Sequence, residues 1–266
     1  MSLKLLRPSS LRFCRWNSSF DPTKSFKLSK PPLPEWKLGA GAAMDLSHHQ
    51  SSVYKSWNLS ETSLKDTYRL LTSAIIPRPI ALISTLDSDG SPNLAPFSYF
   101  SMISHNPPLL SVSFSLSPGK AKDSRKNIFD TGEFTVNLIS EHFIEAANST
   151  SLDAPADVNE WLVSGLTMEA SSQVKPPRCA ESIFHFSHDI SDLNNEQTTT
   201  TLVLGLIKQV HVRESALSEN GIEVNPAELR PVARLGGLTY ARLTDGFNLP
   251  RLSWKKWGDK VGDMVN

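Results

Sequence analysis

One stretch limits the fold more than any other: residues 110–116, LSVSFSL. Leu110, Val112, Phe114 and Leu116 alternate strictly with Ser111, Ser113 and Ser115. A period of two places the apolar side chains on one side of an extended segment and the small hydroxyls on the other. A helix would scatter the same residues around its circumference. The segment predicts a strand with one face in a core.

Its surroundings read the same way. PIALISTL (79–86) is a β-rich run, and Asp87-Ser88-Asp89-Gly90 is a turn signal. NLAPFSYFSMI (93–103) follows, so the two runs predict a hairpin. His105-Asn106-Pro107-Pro108 breaks the chain before the alternating strand. EFTVNLI (133–139) is a further alternating strand, and IFHFSHDI (183–190) and TLVLGLIKQVHVRE (201–214) are late strand regions. RPVARLGGLTYARL (230–243) closes the domain. Helical patterns are few and short. They cover 61–75, 118–132 with Gly132 as the stop, and 141–150, while 151–181 is irregular. Many strands with no βαβ alternation predict a mainly β protein, an antiparallel barrel with short helical insertions.

The 266 residues leave room for one domain of about 150–200 residues and extensions at both ends. The domain is expected over 66–245, with a tail at 246–266. Residues 21–65 read as a Pro-rich linker, largely disordered, from KPPLPEW onward. The Gly39–Gly41 pair has no strand before it, so it is not a dinucleotide fingerprint. His48 and His49 are adjacent and point apart on most backbones, a poor start for a metal site. The first twenty residues carry Lys4, Arg7, Arg12 and Arg15, five serines and no acid, interleaved with leucines and aromatics. That is the composition of a mitochondrial presequence, although Pro8 interrupts the helix.

Composition excludes several classes. Twenty-seven basic residues balance twenty-seven acidic ones, which gives no support for a nucleic-acid partner. No stretch approaches the roughly 18 unbroken apolar residues of a membrane helix. Cys14 and Cys179 cannot build a zinc or iron–sulfur site by themselves, and they form no disulfide framework. An intracellular, reducing compartment is the expectation. A G-x-S-x-G elbow, an H-E-x-x-H pair and a Walker A loop are all missing, and the seven histidines lack metal-ligand spacing.

What stands out is a set of small polar segments on or beside strands: Ser84-Thr85, residues 93–98, Ser111 with Ser113, and residues 122–127. A flat tricyclic ring with a phosphate tail needs such surroundings. Small side chains let backbone amides reach the ring edge, hydroxyls and amides satisfy ribityl oxygens, and free N–H groups with a Lys or Arg hold the phosphate. The start of the 118–132 helix offers such N–H groups beside Lys122, Ser124 and Arg125. Each segment has a plainer reading too. Ser-rich strand faces usually meet solvent, 93–96 can simply end a strand, Asp123 and Ser124 can cap a helix, and Gly236-Gly237 can be a tight turn.

Order and spacing decide between these readings. RPIALISTLDSDGSPNLAPFSYFSMISHNPPLLSVSF, then KDSRKNIFDTGEFTVNLIS, then RLGGLTY resembles the flavin reductase-like, FMN-binding split-barrel family over roughly residues 68–245. The flavoredoxin-like proteins and the reductase components of two-component monooxygenases look most similar. The resemblance implies an antiparallel split barrel that forms a homodimer and binds FMN in a groove near the interface. It places Ser84 and Thr85 on the ring or ribityl side. Asn93, Ala95, Pro96, Phe97 and Ser98 would wrap the flavin, with Ser113 facing it. Lys122, Asp123 and Ser124 would sit at the phosphate end, and Gly236 and Gly237 would let the chain pass close by. It implies an FMN-dependent oxidoreductase with NAD(P)H as donor, or a non-catalytic flavin carrier that docks on a redox partner protein. A barrel that has lost its flavin is a third possibility. Some members place a histidine beside the flavin in the C-terminal motif. Here Arg234 precedes Leu235-Gly236-Gly237, and an arginine is no ordinary acid at neutral pH. No catalytic residue is assigned.

Overall fold

A computed structural model describes residues 26–41, 54–115, 122–155, 157–191 and 200–265. The expected presequence, Cys14, His48, His49 and Leu116 lie outside the described residues.

Seven strands form the main sheet: β1 Ala81–Leu86, β2 Pro92–Phe97, β3 Phe100–His105, β4 Pro108–Ser115, β5 Glu133–Leu138, β6 Phe184–Ser191 and β7 Thr200–Val212. Their order is β2-β1-β5-β6-β7-β4-β3, and neighbours are antiparallel throughout. The expected mainly β, antiparallel class is what the structure has. The sheet nonetheless has two free ends, because no ladder joins β2 to β3 among the described residues. It wraps far enough that Phe97 of β2 meets Phe114 of β4 edge to face, 4.6 Å between ring centres.

The alternating segment behaves as its pattern demands. Leu110, Val112 and Phe114 are fully buried, packed with Ala81, Ile83, Phe134, Val136 and Val203 inside the curl. Residues 93–103 do not continue as one strand. The chain turns at Ser98-Tyr99, and β3 joins the opposite end of the sheet from β2. One physical reason lies in the Tyr99 carbonyl, which accepts the Ser113 N–H at 2.8 Å and ties the corner to β4. β5 also departs from simple alternation, since Phe134, Thr135, Val136 and Asn137 are all buried. Its second face is covered by a separate core of Leu82, Leu94, Phe143, Trp161 and Cys179. Asn137 is affordable there because its amide donates to the Leu82 carbonyl at 2.9 Å and accepts the Cys179 N–H at 2.8 Å.

Helices α1 Leu64–Ala74, α2 Asp123–Thr131, α3 Ile144–Ser149 and α4 Glu160–Ser164 decorate the sheet. Ser63 caps α1 by accepting the Asp66 N–H at 3.1 Å. Gly132 ends α2 with φ 77°, a left-handed value that suits glycine. The segment 230–243 forms the hairpin Val232–Arg234 with Tyr240–Arg242, and Arg78–Pro79 pairs beside it. Both flanks contribute as well. Lys27–Ser29, in the stretch read as linker, pairs in parallel with Asp245–Phe247, and a helix spans Trp254–Val265. No described helix is long and apolar enough to cross a membrane.

Candidate functional site

The site grows from the pairing of β1 with β2. Thr85 stands opposite Asn93 in the register, so both side chains share one face at the end of the curl. α2 packs over that end. Asn93 Nδ2 donates to Ser124 Oγ at 2.8 Å and to Thr85 Oγ1 at 3.3 Å, and Asn127 Nδ2 donates to Thr85 Oγ1 at 3.1 Å. Thr85, Ser124 and Asn127 are buried, so this network fixes the start of α2 against β1 and β2.

Beside the network opens a cleft of about 260 Å³. Its walls include Asn93, Ala95, Pro96, Phe97, Lys122, Asp123 and Ser124. Two of the chain segments singled out for their small polar character, 93–98 and 122–127, thus converge on one cavity. The remaining wall was not legible as part of the site. It consists of Thr150, from the end of the expected 141–150 helix, and of residues 151–154 and Glu160, from the stretch read as irregular. The one available signal was Asn159-Glu160, a helix N-cap followed by a first-turn acid; Asn159 Oδ1 does accept the Trp161 N–H at 3.0 Å.

Other sequence-derived residues fall elsewhere. Thr85 lies behind the cleft as an anchor for the two asparagines. Ser84 is fully buried on the other face of β1, and its Oγ has no hydrogen-bond partner among the described residues. Ser98 Oγ accepts from Arg78 Nε at 3.4 Å, and Ser113 holds the Tyr99 corner. Neither is among the residues lining this cleft. Gly236 is pressed against α1: a Cβ there would lie 2.8 Å from the Ser73 Cβ. Its missing side chain is thus demanded by helix packing. Gly237 has φ +61° and borders a surface depression with Trp57, Tyr68 and Ser73. Arg125 turns away from the α2 N-terminus, with Nε donating to Thr201 Oγ1 at 2.7 Å and the guanidinium over the Phe129 ring. Arg234 lies over Tyr240 and donates to the Gly237 carbonyl.

The cleft therefore has one lysine and a set of neutral donors at one end. Lys122 is the N-cap of α2, and no side chain caps the first turn, so its N–H groups face outward beside the Ser124 hydroxyl. Asp123, Asp153 and Glu160 supply the negative charges of the same walls. Burial raises the Glu160 carboxyl above the usual carboxylate range, with Asp123 adding to the effect and N–H hydrogen bonds opposing it. The lining contains no histidine or cysteine. No cluster of three or more His, Cys, Asp or Glu among the described residues is placed to hold a metal ion. The donor set fits a ligand ending in an anion: lysine, the Ser124 hydroxyl and free N–H groups at the helix start, with the small side chains of Ala95 and Pro96 on β2 beside them.

Comparison with known proteins points the same way. Residues 73–242 match the family model of the flavin reductase like domain. The Bacillus subtilis protein YwrF is 36% identical over 198 residues, which is 73% of this chain and 97% of that protein. Among solved structures, nitrilotriacetate monooxygenase component B from Bacillus cereus is 32% identical with a TM-score of 0.71, covering 75% of this chain and all of that one. A split barrel domain protein from Shewanella frigidimarina is 26% identical with a TM-score of 0.62, covering 73% and 95%.

Proposed function

We propose that this chain, which belongs to the flavin reductase-like family, holds FMN in the cleft between β2 and the start of α2 and acts as an NAD(P)H-dependent flavin oxidoreductase. The observation that carries the reading is convergence. Seven residues chosen from separate sequence motifs, Asn93, Ala95, Pro96, Phe97, Lys122, Asp123 and Ser124, line one cavity. Ala95 and Pro96 present little side chain, so a flat ring can lie against the β2 backbone. Lys122, the Ser124 hydroxyl and the open first turn of α2 would take the phosphate. The Asn93–Thr85–Asn127 network would hold those donors in place before the ligand arrives. The flavin supplies the hydride-accepting chemistry when bound. No protein acid or base is needed in the lining for that step, which agrees with its lack of histidine.

The same reading includes a homodimer whose second copy completes the site. On α1 and its C-cap, Leu64, Tyr68, Leu71 and Ile75 recur at helical spacing and are 81%, 60%, 40% and 64% exposed. Such a stripe is costly to leave in water and suits a second copy of the chain.

The purified protein is expected to show a flavin absorbance band, alone or after titration with FMN. Stopped-flow mixing with NADH or NADPH should bleach that band. A protein that rejects FMN sinks the reading. A protein that binds FMN yet stays oxidised with both nucleotides is instead a flavin-binding electron carrier.

A further inference from the structure

We propose that Glu160 is a positioning residue of this cleft whose charge sets how firmly a phosphate-bearing flavin is held: the neutral carboxyl permits binding and the ionised one opposes it. The inference rests on the FMN reading given above. It starts from the free edge of β2. Backbone groups of alternate residues point to the same side of a strand. Pro92, Leu94 and Pro96 share the side facing away from β1, and the two prolines have no N–H to offer. The Leu94 N–H is therefore the single donor of that trio. Glu160 Oε2, arriving from the first turn of α4, accepts it at 3.3 Å.

A neutral side chain could do that work. A carboxylate is an expensive choice, because Glu160 is only 9% exposed and no cation among the described residues lies within ion-pair distance of it. The charged groups that share its cavity are Lys122 and Asp123 from the start of α2 and Asp153 from the loop before α4. Lys122 is the lone positive charge in that set, and it stands where the phosphate is placed. An ionised Glu160 in the same cavity thus repels the incoming phosphate. Burial and Asp123 both raise the carboxyl, so it exchanges its proton closer to neutral pH than a surface glutamate does. The proton required comes from solvent, and no bond in the ligand changes.

The experiment compares FMN with riboflavin, which lacks the phosphate, by titration from pH 5 to pH 8. Wild type is set against Glu160→Gln, which can still accept the Leu94 N–H. At the acid end the two proteins should bind FMN equally. Towards pH 8 the variant should bind it about three- to tenfold more tightly, the size expected for one screened charge–charge repulsion. Riboflavin should show no such divergence. A ratio that stays flat with pH, or that moves in parallel for both ligands, overturns the proposal and leaves Glu160 as a strand-edge cap. Flavin rejected by wild type altogether is a different failure, because it sinks the FMN reading and this inference with it. A second measurement needs no variant. The Glu160 side-chain carboxyl carbon, followed by NMR in the wild-type protein, should titrate at higher pH with FMN bound than with riboflavin bound. Identical titrations refute the coupling.

Discussion

Replacing Arg78 with methionine is expected to cost about 3–5 kcal/mol of stability, although no acidic partner accompanies the guanidinium among the described residues. Arg78 is 9% exposed. Its Nη1 donates to the carbonyls of Thr72 and Ile75, its Nη2 to the Leu235 carbonyl at 3.1 Å, and its Nε to Ser98 Oγ at 3.4 Å. Two of those acceptors lie at the C-terminal end of α1, where the helix dipole is negative and the last carbonyls have no intrahelical donor. The helix end thus serves as the counter-charge, and one side chain ties α1, the corner after β2 and the 235–239 turn together. A hydrogen bond to a charged group contributes about 1.5–3 kcal/mol. The Ser98 bond is long, and Ile75 is exposed enough for water to replace the arginine at its carbonyl. The buried Thr72 carbonyl and the half-buried Leu235 carbonyl therefore carry most of the loss. Urea unfolding of Arg78→Met should show a lower midpoint at unchanged slope. The melting temperature should fall by roughly 6–20 °C, taking 2–4 °C per kcal/mol for a domain of this size. Arg78→Lys should recover less than half, because one ammonium cannot span acceptors on three segments. A loss under about 1 kcal/mol, or full rescue by lysine, would refute the reasoning.

Lys122→Ala should weaken FMN about tenfold while barely touching riboflavin, because one charge-assisted contact to the phosphate is lost and the α2 N–H groups remain; equal weakening of both ligands would place the phosphate elsewhere. Leu71→Asp combined with Ile75→Asp should convert a homodimer into monomers in sedimentation at micromolar concentration, and a wild type that is already monomeric with full FMN binding would contradict the shared site. In a Cys14→Ser background, Cys179 should resist thiol reagents in the folded protein up to high pH and react on unfolding, since burial and the neighbouring Glu181 push its thiol up to about 12. Residues 1–20 fused to a fluorescent reporter should carry it to mitochondria; a diffuse cytosolic signal would count against the presequence.

The fold was legible where one physical cause dominates. Leu110, Val112 and Phe114 alternate because one face of β4 meets core and the other does not, so the period alone identifies the strand. The pattern fails at β5, where Thr135 and Asn137 look like an outward face but are buried under a second core. Their polar atoms are satisfied by partners more than forty residues away, Pro177 and Leu82, and local sequence carries no trace of that. The run 93–103 misled for a related reason. Nothing in FSYFS marks the corner, because the bond that fixes it comes from Ser113 on β4.

The candidate site divides along the same line. Asn93, Ala95 to Phe97 and Lys122 to Ser124 each stand in an ordered motif, and they line one cavity because α2 packs over the end of β1 and β2. Gly236 belongs to a motif as well, yet the contact that requires a glycine is with Ser73 of α1. A motif records that a residue is constrained without saying by what. Ser84 makes the point more sharply. It adjoins Thr85 in the sequence, but the two face opposite sides of β1; Thr85 anchors the asparagine network, whereas Ser84 Oγ is buried without a partner among the described residues. Glu160 is the converse case, a residue from an unremarked segment that reaches the cavity because α4 packs on β2 and Leu94 needs an acceptor. Which motif residues line the cleft and which brace it from behind is therefore set by long-range packing rather than by motif.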